Sequence, residues 1–215
     1  METPIANSSQ LTTILLAVAD DIEARSDELR QLDAAIGDGD LGITIQLGSE
    51  GMRQFLSSSP GTDIGQLLAR CGMSINKASP STFGTLLASA FMAAGKAVAG
   101  KTSVTTRDLA DMGDASIEGI KKRGHADVGD KTMLDCLVPA AGAFRKELSN
   151  GSALNAALVS AVAAADEGLR STVGMVSKHG RASWHRENTV GVQDAGATAI
   201  YFMIESFARH LQALL

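Results

Sequence analysis

Residues 83–98 form a nearly apolar, alanine-rich stretch in which Lys96 is the only charge. A segment that is hydrophobic on every side can be stable only as a buried helix. Its alanines and glycines let neighbouring backbones come close, so the partners it packs against are expected to be helices too. Helical spacing recurs along the chain. Leu11, Ile14, Leu15, Val18 and Ile22 fall on one face behind a Ser8-Ser9 cap. Further helices are expected from near Ile43 to about Phe55, from a Thr62 or Asp63 cap onward after the Ser57–Asp63 loop, from Thr106 to a stop at Gly124, over Thr132–Leu148, over Ser152–Ser171 and over Asp194–Leu215. No run of alternating β-branched residues, internal repeat or low-complexity tract interrupts this. The expected fold is all-α, with seven to nine helices in a single domain, 1–215.

The composition narrows function. With 45% hydrophobic residues, the 215-residue chain can bury a substantial core. A net charge of -5 argues against a nucleic-acid partner, because phosphate contacts need a basic face. The one basic cluster, Lys121-Lys122-Arg123, reads as a solvated helix end. Cys71 and Cys136 lie far apart in apolar surroundings, which predicts free buried thiols and a reducing compartment. The apolar run Ile14–Ala19 lacks preceding basic residues and is too short to span a bilayer. A cytoplasmic protein without a membrane anchor is expected.

Polar residues gather in three loops, 33–42, 76–85 and 180–196, and in a turn at 124–131. The segment LDAAIGDGDLG places Asp33, Asp38 and Asp40 among Gly37, Gly39 and Gly42. Three carboxylates this close repel one another unless a cation neutralises them. An all-oxygen ligand set suits Mg²⁺ or Ca²⁺ rather than zinc. The EF-hand template fails: from Asp38, Gly42 and Ile43 occupy the fifth and sixth positions, where an acid and a glycine are required; from Asp33, Ala35 and Gly37 replace ligands. Spacing alone leaves two readings open, a metal–nucleotide site and a capped, solvated acidic loop.

GKAVAGKT, Gly95–Thr102, matches the phosphate-loop pattern, but that loop needs a strand before it and a helix after it. Here a helix precedes, so Gly100 is expected to end that helix and Lys101 to sit near its negative end. In the 180–199 segment, Arg181 is suited to bidentate phosphate contact. Asp194 fits a plain helix N-cap, and Trp184 and His185 fit either a pocket lining or the surface. NKASPSTFGT, residues 76–85, offers hydroxyls and amides ahead of a helix N-terminus, which attracts anions, or forms an ordinary cap and turn.

Together, LDAAIGDGDLG, GHADVGDKTMLD and GRASWHRENTVGVQDAGAT, in this order and spread over nearly the whole chain, closely resemble the nucleotide-binding L subunit of dihydroxyacetone kinases. The resemblance implies an eight-helix antiparallel barrel with ATP or ADP held at one end through two Mg²⁺ ions. It implies Asp33, Asp38 and Asp40 as metal ligands and Leu41, Gly42, Ile43 and Thr44 as the phosphate-contacting start of a helix. Ala78 and Ser79 would touch the phosphates, Gly124 and Met133 would border the nucleoside, and Arg181 with Asp194, Ala195 and Gly196 would close the site. No catalytic side chain is implied, since the task is positioning and charge neutralisation.

The same resemblance implies a separate K-type subunit that holds a ketose covalently on a histidine, a role none of the four histidines here can be given. The donor would be free ATP or, alternatively, a phosphotransferase-system protein acting on tightly bound ADP; the altered phosphate segment favours ATP. A non-catalytic nucleotide-binding regulator and the related fatty-acid-kinase domain are the competing readings, and a homodimer stays open. Four departures stand out. Leu41 replaces the usual histidine, and Ser79-Pro80-Ser81-Thr82 replaces Ser-Gly-Pro-Leu. Ala195 replaces proline, and Trp184-His185 replaces Tyr-Leu. All lie at the expected phosphate end or site mouth, which points to a branch acting on erythrulose or a longer ketose.

Overall fold

The computed structural model describes residues 3–58 and 61–214. Within them are nine α-helices: α1 (Ser8–Glu23), α2 (Ser26–Ile36), α3 (Leu41–Leu56), α4 (Ile64–Ala78), α5 (Thr82–Ala97), α6 (Thr106–Gly124), α7 (Leu134–Ser149), α8 (Leu154–Ser171) and α9 (Ala195–Gln212). Two short 3₁₀ segments, Thr172–Gly174 and Arg181–Thr189, lie between α8 and α9.

Eight of the helices form a closed ring. Helix α1 packs on α3, then each helix from α3 to α9 packs on the next, and α9 returns to α1. This is the antiparallel barrel, with α2 as an additional helix lying against α3 and α9. Helical neighbours joined by short connections run antiparallel. The connections α2–α3, α4–α5, α6–α7 and α8–α9 therefore share one end.

Small residues set the spacing. A Cβ on Gly65 would fall 2.7 Å from the Gly95 carbonyl oxygen, and one on Gly95 would fall 2.5 Å from that of Gly65. Only glycine at both positions allows α4 and α5 to cross so closely. Helix α5 is not buried all round, since Met92 is 42% exposed. Each helix of a ring turns one face to solvent, and small apolar side chains tolerate that face. Inside the ring, Leu15, Phe91, Phe144 and Met203 are among the side chains lining an apolar cavity of about 280 Å³.

The helix ends match local chemistry. Asn7, one residue before the expected cap, makes a capping box with Gln10 on α1. Asp63 rather than Thr62 caps α4, its carboxylate accepting the Gln66 N–H. The loop expected over Ser57–Asp63 is described except at Ser59 and Pro60, and Leu215 likewise lies outside the described residues. Among the described residues, strand character is confined to a two-residue antiparallel ladder, Ala6 opposite Val104 and Asn7 opposite Ser103, too short for alternation to reveal. Lys121, Lys122 and Arg123 occupy the last turn of α6 as expected. Both cysteines are free and buried, and burial pushes each thiol up to about 12. No helix of the described residues is long and apolar enough to cross a membrane.

Candidate functional site

The acidic residues are distributed differently from the sequence expectation. Asp33 lies within α2, which continues to Ile36, so the loop is shorter than residues 33–42. Leu29, Leu32 and Ile36 give α2 its helical spacing behind the acidic first turn of Asp27 and Glu28. Helix α3 begins at Leu41 rather than near Ile43, with Asp40 as its N-cap residue and Asp38 in the turn. Gly39 has φ +74°, the left-handed conformation that reverses the chain between α2 and α3. Gly42 lets the two helices touch, since a Cβ there would fall 2.5 Å from the Ser26 carbonyl oxygen.

This turn gathers the acids. One carboxylate oxygen from each of Asp33, Asp38 and Asp40 lies within 4.8 Å of the other two. Asp33 Oδ2 accepts the Leu41 N–H at 3.2 Å, tying α2 to the first turn of α3. Burial pushes the Asp33 carboxyl above the ordinary carboxylate value; the Leu41 N–H opposes this and the Asp38 charge adds to it. Asp40 is raised by burial and by the charges of Asp38 and Asp33, against Arg181. Arg181 Nη1 pairs with Asp38 Oδ2 at 2.7 Å. The Asp40 carboxylate makes no capping bond and is exposed, so it is free to turn toward a cation. An all-oxygen trio with repelling charges fits Mg²⁺.

The other predicted residues fall on the connections at the same end of the barrel. Ser79 follows α4, and Ser81 caps α5 by accepting the Gly84 N–H at 3.0 Å. Ala78 packs on α3, where a Cβ on Gly51 would fall 2.7 Å from its methyl group. Gly124 ends α6, and buried Met133 is the cap residue of α7. Asp194 caps α9, Oδ2 accepting the Ala197 N–H at 2.7 Å, while burial pushes its carboxyl up to about 6. A Cβ on Gly196 would fall 3.8 Å from Phe83 Cδ2 and 3.9 Å from the Met133 nitrogen, so the starts of α5, α7 and α9 meet. Leu41 and Ala195 share a buried cluster with Phe83 at its edge, which brings in α3. Four helix N-termini thus converge beside the aspartates, and their aligned dipoles favour a polyanion.

The departures now have physical positions. The Leu41 side chain is 5% exposed among Ile22, Leu29 and Ile45, where a phosphate contact from it is out of reach. Gly42 and Thr44 are buried, whereas Ile43 is 54% exposed. Trp184, 78% exposed, and His185 are on the surface. The phosphate-loop match is a helix end: Gly100 has φ +79°, Lys101 Nζ pairs with Asp108 at 2.5 Å, and a strand residue, Ser103, follows shortly after.

Three polar residues escaped the sequence reading. Asp135, 2% exposed, accepts the Gly129 N–H at 2.6 Å and the Thr132 N–H at 2.7 Å, shaping the turn before α7. Thr172 Oγ1 accepts the Asp194 N–H at 3.1 Å. Lys131 is 1% exposed. For Asp135 and Lys131 the signal was the clustering of acids and a lysine in GDKTMLD, which does not say which backbone groups they meet; Thr172 lies outside that segment and carries no such signal.

Comparison with known proteins bears on the family and the fold. The DAK2 domain family matches residues 35–209. The chain is 32% identical to the PEP-dependent dihydroxyacetone kinase ADP-binding subunit DhaL of Escherichia coli, over 93% of this chain and 95% of that one. It is 30% identical to the L-erythrulose 1-kinase of Mycolicibacterium smegmatis over 86% of this chain but 32% of that one. The crystal structure of the dihydroxyacetone kinase from C. freundii in complex with AMP-PNP and Mg²⁺ superposes with a TM-score of 0.74 at 24% identity. It covers 97% of this chain, which spans 35% of that longer chain. The chain belongs to the DAK2 domain family, among the nucleotide-binding L subunits of dihydroxyacetone kinases.

Proposed function

We propose that this chain is the ATP- or ADP-binding subunit of a two-part keto-sugar kinase, passing phosphate to a ketose held on a separate K-type subunit. The observation that carries the reading is the aspartate trio, set beside four converging helix N-termini and faced by Arg181. Asp33, Asp38 and Asp40 would hold two Mg²⁺ ions, which supply charge neutralisation for the transferring phosphoryl group. The first turn of α3 and the Ser79–Thr82 connection would border the phosphates, Gly124 and Met133 the nucleoside, and Arg181 with Asp194, Ala195 and Gly196 the closing edge. Buried Leu41 leaves phosphate contact at the α3 terminus to backbone N–H groups.

Two donors are compatible with this site. The E. coli relative is named for PEP dependence and ADP binding, which supports a phosphotransferase-system protein recharging bound ADP. The erythrulose kinase relative supports a four-carbon ketose as acceptor. Calorimetry of ATP and ADP on nucleotide-stripped protein, with and without Mg²⁺, tests the reading. Mg²⁺-dependent ATP binding with exchangeable ADP supports an ATP-driven subunit; ADP that scarcely dissociates supports the phosphotransferase-linked one. Absence of nucleotide binding would leave a scaffold or regulator. Turnover that requires the K-type partner would separate a kinase subunit from a regulator.

A further inference from the structure

Lys131 is among the largest fully buried side chains of the described residues, at 1% exposure, and its backbone has φ +60°. That conformation is strained for any residue with a Cβ and favours glycine. The backbone therefore gives no reason for a lysine, and the reason must lie in the ammonium. Lys131 Nζ donates to three carbonyl oxygens, those of Thr189 at 2.6 Å, Val192 at 2.6 Å and Met175 at 3.2 Å. An ammonium has three donors, and here all are satisfied by backbone.

The three carbonyls belong to the two ends of one irregular segment. Met175 follows the first 3₁₀ turn, Thr189 ends the second, and Val192 comes just before the Asp194 cap. Arg181 lies between these ends and reaches Asp38 at 2.7 Å. The neighbouring Asp130 adds outer ties: its carbonyl accepts the Lys178 N–H at 3.1 Å, and its carboxylate pairs with Lys178 Nζ at 2.7 Å and His179 Nε2 at 3.3 Å. Two direct bonds also join these ends, Gly191 N–H to the Val173 carbonyl at 2.7 Å and Ser177 N–H to Thr189 Oγ1 at 3.0 Å, and the buried cation adds three more where a helix would supply a ladder.

We propose that Lys131 is a positioning residue for Arg181: its ammonium draws residues 175 and 189–192 together and so fixes the guanidinium against Asp38. The clamp itself stands on geometry alone; its effect on ligand affinity rests on the nucleotide reading above.

The test compares Lys131→Met, Lys131→Gln, Arg181→Ala and the Lys131→Met/Arg181→Ala pair in the full chain. Limited trypsin digestion reads cleavage after Arg181 and Arg186, and calorimetry reads Mg²⁺·ADP affinity. Lys131→Met should speed cleavage within the segment about ten-fold relative to cleavage after Arg53, and weaken Mg²⁺·ADP about ten-fold. In the Arg181→Ala background the same change should add less than about two-fold, because the two residues act in series. Wild-type cleavage rates in Lys131→Met, or an undiminished affinity loss without Arg181, would overturn the proposal. If Lys131→Met does not fold, Lys131→Gln, which keeps donors but not charge, must show faster segment cleavage; unchanged cleavage overturns it equally. Wild-type protein that ignores Mg²⁺·ADP would defeat the nucleotide reading while leaving the digestion result to decide the clamp.

Discussion

Arg181, in the irregular segment before α9, and Asp38, in the turn before α3, form a 2.7 Å ion pair across the mouth of the site. The pair places a guanidinium where it can meet either a carboxylate or a phosphate, both of which it binds with the same planar fork. Arg181→Lys keeps the charge but loses the fork. Calorimetry should show Mg²⁺·ADP affinity reduced about ten-fold in Arg181→Lys and more in Arg181→Ala. Equal affinities for lysine and arginine would mean that charge alone matters there.

Asp40 should show opposite effects on stability and binding. Its carboxyl is raised by burial and by its two acidic neighbours, so in metal-free protein its charge is a liability. Its carboxylate makes no capping bond for asparagine to lose. Asp40→Asn should therefore raise the metal-free melting temperature by about 1–3 °C while abolishing Mg²⁺-dependent nucleotide binding. Differential scanning calorimetry with and without Mg²⁺ checks both; retained Mg²⁺ response would remove Asp40 from the ligand set.

The Lys101–Asp108 pair joins the end of α5 to the capping box that Thr105 and Asp108 make on α6. Lys101→Ala should leave nucleotide affinity within about two-fold of wild type and cost at most about 1 kcal/mol of stability in a denaturant melt. A large affinity loss would restore the phosphate-loop reading of GKAVAGKT.

Asp130 sets an acid limit on the Arg181 segment. Its carboxyl is held at about 2, chiefly by the hydrogen bond from Lys178 and then by the Asp127 N–H, against an ordinary value of 3.8. Because the folded value lies below the unfolded one, its stabilisation is present above pH 3.8 and is lost as pH falls through about 2. Asp130→Asn should flatten the wild-type decline in melting temperature between those limits. Superimposable pH profiles would show that the ion pair is screened by solvent.

Much of this was legible before folding, because helical periodicity and caps are local. Thr106 and Gly124 bound α6 as expected, and Asp194 caps the last helix. Helix α2 is hidden in the sequence because Asp33, among acids and glycines, reads as loop, although Leu29, Leu32 and Ile36 carry the helical spacing. The acids themselves were legible as residue types, but their approach to within 4.8 Å depends on the left-handed Gly39 and on Gly42 against Ser26. Lys131 was opaque for a different reason. Its partners are main-chain carbonyls up to 61 positions away, and carbonyls have no signature in a sequence.

The barrel is sealed where α1 meets α9, and there Asp21 Oδ2 accepts from Ser206 Oγ at 2.5 Å, Arg209 at 2.6 Å and His210 Nε2 at 2.9 Å. These partners are separated by as many as 189 positions. A ribosome therefore delivers α1 long before the helix that completes its packing. During that interval the leucines and phenylalanines destined for the interior face water along an open seam. Nascent chains in this state are clients for holding factors, and stalling or truncation ahead of α9 should yield aggregates rather than a smaller folded protein.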